Sequence, residues 1–120
     1  MELEQLQALV LKALDDMKAR DVRILDVRGK STITELMVIA TGTSTRHVKS
    51  IADHVALTAK SAGEPPLGTE GERDSAWMLV DLNDIVVHVM LPETRDFYNL
   101  EKLWGEGESN DQQAAQSGAC

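Results

Sequence analysis

The stretch TELMVIATGTSTRHVKSIADHVALTAKSAG, residues 34–63, decides the fold of this 120-residue chain. Residues 34–40 predict a strand, and the unbroken apolar run from Leu36 to Ala40 is typical of a strand buried on both faces. After Gly42, either Thr43 or Ser44 can serve as a helix N-cap. Apolar residues then recur at spacings of three and four (Val48, Ile51, Ala52, Val55, Ala59 and Ala62), which predicts an amphipathic helix. The stretch therefore predicts a strand–turn–helix unit.

Towards the N-terminus, residues 2–20 repeat the helical spacing (Leu3, Leu6, Val10, Ala13, Leu14 and Met17). Residues 22–28 predict a short strand, followed by a turn at Gly29. Towards the C-terminus, we expect a short edge strand at 67–70 and a hairpin at 76–91 that turns at 82–84. Pro92 then stands at the favoured first position of a final helix. This order predicts an α/β fold with a single mixed β-sheet flanked by helices.

Residues 105–120 differ from the rest of the chain in composition. They are mainly Gly, Ser, Gln and acidic residues without apolar periodicity, which is typical of a disordered tail. We therefore expect one domain over 1–104 and a disordered acidic and polar tail over 105–120. The single cysteine, Cys120, ends this tail, and we interpret it as a bystander thiol in a reducing compartment.

The overall composition narrows the classes of function. Apolar residues make up 42% of the chain, and none of its windows has the roughly 18 consecutive apolar residues of a membrane span. The amphipathic, acidic N-terminus resembles neither a secretory signal nor a transit peptide, so we expect a cytoplasmic protein. The formal net charge of −8 argues against broad contact with phosphate backbones and favours a basic partner.

The chain has only four aromatic residues, and three of them lie in RDFYNLEKLW, residues 95–104. On a helical wheel an apolar face forms that we expect to be buried (Phe97, Leu100, Leu103 and Trp104), while Tyr98 points away from it. On its strand, Trp77 shares a face with Leu79 and Asp81, opposite Met78 and Val80. Trp77 and Tyr98 could form one interaction patch, since both residue types are enriched at interface hot spots. Alternatively, Trp77 packs beneath a helix and Tyr98 is exposed without a role.

No set of residues predicts an active site. The helix start at Gly42–Ser44 could hold a phosphate, as any capped strand–helix turn could. A metal would need paired carboxylates near it, but the end of the predicted hairpin strand reads Asp81-Leu82-Asn83. His47 and His54 are about 10 Å apart along one helix, too far to share an ion. We therefore expect no enzyme activity, catalytic residue, metal or cofactor.

Several motifs in order along the chain resemble the ribosomal silencing factor family (RsfS, also called Iojap or YbeB). The matching pieces are Lys18–Val22, Val38–Arg46 with Val48, Ile51–Asp53, Glu70-Gly71, Trp77–Asp81, Val86–Val89 and Arg95–Trp104. The resemblance implies a nucleotidyltransferase-like fold without its catalytic carboxylates. It also implies binding to the large ribosomal subunit through its protein fourteen, beside an intersubunit bridge. A factor bound there blocks the small subunit and represses translation in nutrient limitation or stationary phase.

For such an interface we expect Trp77 and Tyr98 as anchors, with Asp81, Glu70 and His88 as polar contacts. The resemblance makes a homodimer plausible, and neither sequence-specific nucleic-acid binding nor membrane contact is expected. Two alternatives stay open. One is a maturation factor of the large subunit, and the other is a small nucleotide-binding or nucleotidyltransferase-like enzyme that uses Gly42–Ser44.

Overall fold

Five strands and three helices make up the described parts of the computed structural model. Residues 1–29, 34–71 and 76–98 are described, the last of them, Tyr98, by its backbone alone. In chain order the elements are α1 (Leu3–Asp16), β1 (Arg20–Asp26), β2 (Leu36–Thr41), α2 (Thr45–Ser61), β3 (Gly68–Gly71), β4 (Trp77–Asp81), β5 (Ile85–Met90) and α3 (Pro92–Tyr98). The domain boundary expected at 104 and the tail expected at 105–120 lie outside the described residues.

The strands form one mixed sheet in the order β1-β2-β5-β4-β3. The two central strands, β2 and β5, run parallel, and every other neighbouring pair is antiparallel. All residues of β2 and β5 are buried, as expected for strands with neighbours on both sides and cover on both faces. The predicted mixed sheet, the hairpin of β4 and β5 and the short edge strand β3 are all confirmed.

Helices α1 and α2 pack on one face of the sheet, and we call this the helix face. Their apolar stripes meet the side chains that alternate strand residues send to that face. The buried cluster comprises Leu6, Val10, Ala13, Leu14, Leu36, Val38, Ala40, Val48, Ile51, Ala52, Val55, Ala59, Val80, Leu82, Ile85, Val87 and Val89. This cluster is the main core, and all its α2 members belong to the stripe predicted from the sequence. Ala62, the last residue of that predicted stripe, lies just beyond α2 and is exposed.

The remaining strand residues point to the opposite face of the sheet, which we call the second face. A smaller buried cluster lies there, formed by Leu25, Val27, Met37, Ile39 and Met90, with Trp77 packed against it. Met78 and Val80 belong to the helix face, so the predicted division of β4 is confirmed. Trp77 therefore lies on the other side of the sheet from α1 and α2.

The first helix is shorter than its apolar pattern predicts. The pattern extends to residue 20, but α1 ends at Asp16 and Lys18 adopts a left-handed backbone with φ of 59°. The Lys18 and Ala19 amides bond back to the carbonyls of Asp15 and Leu14, which closes the helix end. Strand β1 then begins two residues earlier than predicted, with an irregular register between Arg20 and Arg23.

The turn from β2 into α2 is built by close packing. Ser44 is the N-cap, and its hydroxyl accepts from the amide of His47. A Cβ added to Gly42 would lie 2.9 Å from the Val48 backbone nitrogen, so only glycine allows the helix to start this close to the strand.

In the described parts of the chain, none of the helices has both the length and the apolar character for crossing a membrane.

Candidate functional site

Four of the five predicted interface residues lie on the second face of the sheet. Strand register places Glu70 of β3 opposite Leu79 of β4, and Leu79 opposite His88 of β5. These three residues form one row across the sheet, since paired residues point to the same face. Trp77 and Asp81 flank Leu79 at alternate positions of β4 and share that face. The tertiary structure thus brings together residues that are up to 18 positions apart.

Trp77 is fixed by a hydrogen bond to the neighbouring strand. Its indole Nε1–H donates to Nδ1 of His88 at 3.0 Å. The two ring centroids are 5.8 Å apart and the planes are tilted by 49°. The indole is half-buried, with its packed part against the second-face cluster. One aromatic side chain is therefore both anchored and presented to solvent.

His88 is buried beneath this indole, with only 6% of its surface exposed. Burial lowers the pKa of His88 from 6.5 to about 4, because a charged imidazole loses its hydration there. The ring is therefore neutral at pH 7. When its single hydrogen is on Nε2, Nδ1 can accept a hydrogen bond from the indole N–H. Such burial leaves His88 little surface to offer a partner directly.

A shallow depression of about 210 Å³ adjoins the indole. Its lining consists of Glu70, Gly71, Trp77 and Leu79, so an acidic group, an aromatic ring and an aliphatic side chain border the same space. Glu70 itself is exposed. A depression of this composition suits a side chain with an apolar stem and a positive end.

Asp81 has a local structural task at the hairpin turn. Its carboxylate accepts from the amide of Asn83 at 2.9 Å, and Asn83 has a positive φ of 76°. This arrangement is an Asx-type turn, for which Asp is well suited. The side chain is half-buried, so part of the carboxylate remains accessible at the rim of the second face.

The last helix corrects the helical-wheel prediction. Phe97 was expected in the core but is 80% exposed. Instead Arg95, about 200° away on the wheel, is buried, and its Nη1 donates to the Asp21 carbonyl at 2.6 Å and to the Thr41 hydroxyl at 2.8 Å. The described part of α3 thus meets the sheet through a charged, hydrogen-bonded group rather than an apolar stripe. Leu100, Leu103 and Trp104 lie outside the described residues.

Tyr98 is the final residue of α3. The structure does not describe its side chain, so the predicted patch of Trp77 with Tyr98 stays a prediction.

Sequence reasoning missed Arg95 as a structural residue, although the sequence contained a signal for it. Thr41 is the polar end of an otherwise apolar strand, and a buried hydroxyl there needs a partner.

A second cavity, of about 620 Å³ and so larger than the depression beside Trp77, lies beside Arg95. It is lined by Asp21, Val22, Arg23, Thr41, Pro92, Arg95 and Asp96. The two arginines and two aspartates balance in formal charge. This cavity lies at the carboxyl end of β2, where Thr41 shares a cross-strand row with Met90 and Trp77.

The Gly42–Ser44 turn uses its polar groups internally. The Gly42 amide donates to the Met90 carbonyl at 3.0 Å, and the Thr43 amide donates to Nδ1 of His47 at 2.9 Å. The Ser44 hydroxyl already caps α2. These groups are therefore directed into the fold rather than towards a phosphate.

Within residues 1–29, 34–71 and 76–98, His, Cys, Asp and Glu form no group of three or more able to hold a metal ion.

Comparisons of this chain with known proteins all indicate the same family. The model of the family described as "Ribosomal silencing factor during starvation" matches residues 1–119. A ribosomal silencing factor RsfS of Chromobacterium violaceum is 43% identical over 105 residues, covering 88% of this chain and 86% of the relative. That of Bacillus subtilis is 37% identical, covering 88% and 90%. The chain belongs to the RsfS family of ribosomal silencing factors.

More distant relatives and solved structures agree with this assignment. A mouse protein named "Mitochondrial assembly of ribosomal large subunit protein 1" is 35% identical, covering 88% of this chain and 48% of the relative. A crystal structure of a Chromobacterium violaceum protein matches with a TM-score of 0.84 and 42% identity, covering 87% of each chain. The bacterial relatives bear the name of a regulatory factor rather than of an enzyme.

Proposed function

We propose that the protein binds the large ribosomal subunit through ribosomal protein fourteen and prevents the small subunit from joining. Translation then falls when nutrients are limiting or growth has stopped. The second face of the sheet is the proposed contact surface, with Trp77 and Tyr98 as anchors and Glu70 and Asp81 as polar contacts. The observation that carries the proposal is the half-buried indole of Trp77, fixed beside an acidic and aliphatic depression on the face opposite α1 and α2.

The size and chemistry of this surface suit such a contact. Interface hot spots are enriched in tryptophan, tyrosine and arginine, and a few of them dominate the binding energy. An interface that buries about 800 Å² on each partner needs only two or three such anchors. Trp77 offers a large rigid area at low entropic cost because its ring is already hydrogen bonded.

Charge supports a basic partner. The chain carries a formal net charge of −8, and Glu70 contributes an exposed carboxylate next to the indole. Complementary charge accelerates encounter and disfavours wrong partners. Ribosomal proteins are mostly basic, so the acidic depression fits this class of partner.

Steric exclusion needs a surface and an affinity, but no chemistry. The turn at Gly42–Ser44 is consistent with this, because the amides of Gly42 and Thr43 and the hydroxyl of Ser44 are used within the fold. The rival proposal of a nucleotide-binding enzyme predicts that a nucleotide with Mg²⁺ raises the melting temperature. Ligand at 100 times its Kd would stabilise the chain by about 2.7 kcal/mol, and an unchanged melting temperature rejects that rival.

A second candidate function is a maturation role on the same surface. It is favoured by the name of the mouse relative, which refers to assembly of the large mitochondrial subunit. Silencing and maturation differ in timing. Depletion of a maturation factor leaves unfinished large subunits in growing cells, whereas depletion of a silencing factor leaves them complete and raises translation in starved cells.

The test of the proposed function is sedimentation with purified large subunits, followed by addition of small subunits. We expect the wild-type chain to co-sediment and to reduce joining. Trp77→Ala removes an anchor and should weaken binding by about 2 kcal/mol or more, roughly 30-fold. The matched control is Leu57→Ala, because Leu57 is also a large exposed hydrophobic residue but lies on α2.

Either of two results would contradict the proposal. One is a wild-type chain that does not co-sediment with large subunits. The other is a Leu57→Ala variant that loses as much affinity as Trp77→Ala, because the second face would then have no special role. The homodimer implied by the family resemblance stays a prediction, which sedimentation velocity of the free chain measures.

A further inference from the structure

The Trp77 indole is hydrogen bonded to His88, a side chain that is almost fully buried. Trp77 pairs with Met90 across the β4–β5 ladder, so His88, two residues before Met90, is its diagonal neighbour on the same face. Diagonal neighbours lie within reach of aromatic side chains. Trp77 Nε1 and His88 Nδ1 are 3.0 Å apart, so a hydrogen bond joins these diagonal neighbours.

We propose that His88 is a positioning residue of the ribosome-binding surface, whose Nδ1 holds the Trp77 indole in the orientation that the partner meets. The inference rests on the proposed function and assigns His88 a role different from a direct polar contact. With 6% of its surface exposed, His88 acts through Trp77. An anchor that is already ordered loses less conformational entropy on binding than a mobile one.

The surroundings of His88 make it a rigid support. Its strand β5 lies between β2 and β4, and its backbone is in register with Ile39 on one side and Leu79 on the other. Burial lowers the pKa of His88 to about 4, so the ring stays neutral and its Nδ1 lone pair remains available. The support therefore holds throughout the neutral pH range.

A double-mutant cycle separates positioning from general packing. His88→Leu keeps a similar volume but removes the acceptor, and Trp77→Phe keeps an aromatic ring but removes the donor. We expect His88→Leu to weaken binding to large subunits about fivefold, the worth of one hydrogen bond. In the Trp77→Phe background the same change should have little further effect, because the bond is already absent.

His88→Asn serves as the conservative rescue. Its side-chain oxygen stands close to the position of the imidazole Nδ1, so we expect affinity closer to wild type than that of His88→Leu. Circular dichroism establishes that each variant is folded. Wild-type affinity in His88→Leu, or equal losses for that change in both backgrounds, would overturn the proposal.

Nuclear magnetic resonance tests the hydrogen bond without the ribosome. Long-range ¹H–¹⁵N spectra of the wild-type chain should show His88 with its proton on Nε2 and with Nδ1 as an acceptor. The Trp77 indole resonance, identified by its loss in Trp77→Phe, should exchange slowly with solvent and faster in His88→Leu. A proton on Nδ1 overturns the proposal even if His88→Leu does not fold. If large subunits do not bind the chain at all, the proposed function is wrong. The spectra still show whether the Trp77–His88 hydrogen bond forms.

Discussion

His88 couples the folding free energy to pH through a single neutral ring. Its pKa is about 4 in the folded chain and 6.5 in an unperturbed one. Between these values the unfolded chain takes up a proton that the folded chain does not, so stability falls as the pH is lowered. The loss at the lower end of this window is on the order of 3 kcal/mol.

The pH prediction is checked by urea unfolding at a series of pH values from 6.5 down to 4.5. Wild type should lose stability across the series, and His88→Leu should lose less because it has no ring to protonate. His88→Asn differs in packing but also cannot titrate, so its slope should match that of His88→Leu. A wild-type slope that persists in both variants would assign the acid sensitivity to other groups.

At the scale of elements, the junction of β2 and α2 depends on the absence of a side chain at Gly42. An added Cβ would approach the Val48 backbone nitrogen to 2.9 Å and the Val48 Cγ2 to 2.8 Å. Since a backbone atom cannot yield as a side chain can, Gly42→Ala should destabilise the chain by about 1–3 kcal/mol. Chemical denaturation measures this change.

The matched control for Gly42 lies in the edge strand β3. A Cβ added to Gly68 meets nothing within 4 Å, so Gly68→Ala should leave the unfolding free energy nearly unchanged. Equal effects of the two substitutions would show that close approach of α2 is not what requires glycine at position 42.

Helix α3 illustrates how an element can be predicted in place but not in orientation. Pro92 correctly marked its start, because proline suits a first helical position wherever the helix packs. The wheel then assumed that apolar residues face the sheet. Arg95 takes that position instead, because the Thr41 hydroxyl and the Asp21 carbonyl at neighbouring strand ends provide acceptors for its guanidinium.

At the scale of the whole molecule, the sheet divides the chain into a packed side and a presenting side. The helix face buries the main core beneath α1 and α2, so the fold does not rely on the rim of the second face for most of its buried apolar surface. Residues around the Trp77 depression can thus serve a partner at modest cost to stability. The net charge of −8 favours long-range attraction to a basic partner.

This charge predicts a salt-dependent association rate. Binding to isolated ribosomal protein fourteen should slow several-fold as ionic strength rises from about 50 to 300 mM, because exposed charges are increasingly screened. Glu70→Gln should slow association at low salt more than Glu4→Gln does. Both changes remove one exposed carboxylate, but Glu4 lies on α1. Stopped-flow fluorescence measures the rates, and equal effects would indicate that only total charge matters.

The amino-acid sequence by itself determined the α/β class, the order of the elements and the apolar stripes that α1 and α2 contribute to the main core. These features follow from local periodicity, turn chemistry and the apolar run of β2, which act over a few residues. It also placed Trp77 on the face away from Met78 and Val80, since strand alternation is a local rule.

Only the tertiary structure decided which distant residues meet. The hairpin of β4 and β5 was predicted, but only the folded structure set its register, which places the Trp77 indole against His88. The pairing of β3 with β4 then added Glu70 to the row of Leu79 and His88. The tertiary structure likewise exposed Phe97 and buried Arg95. The physical reason is that hydrogen-bond partners and burial depend on the elements across the sheet, about which the local pattern of a strand or helix carries no information.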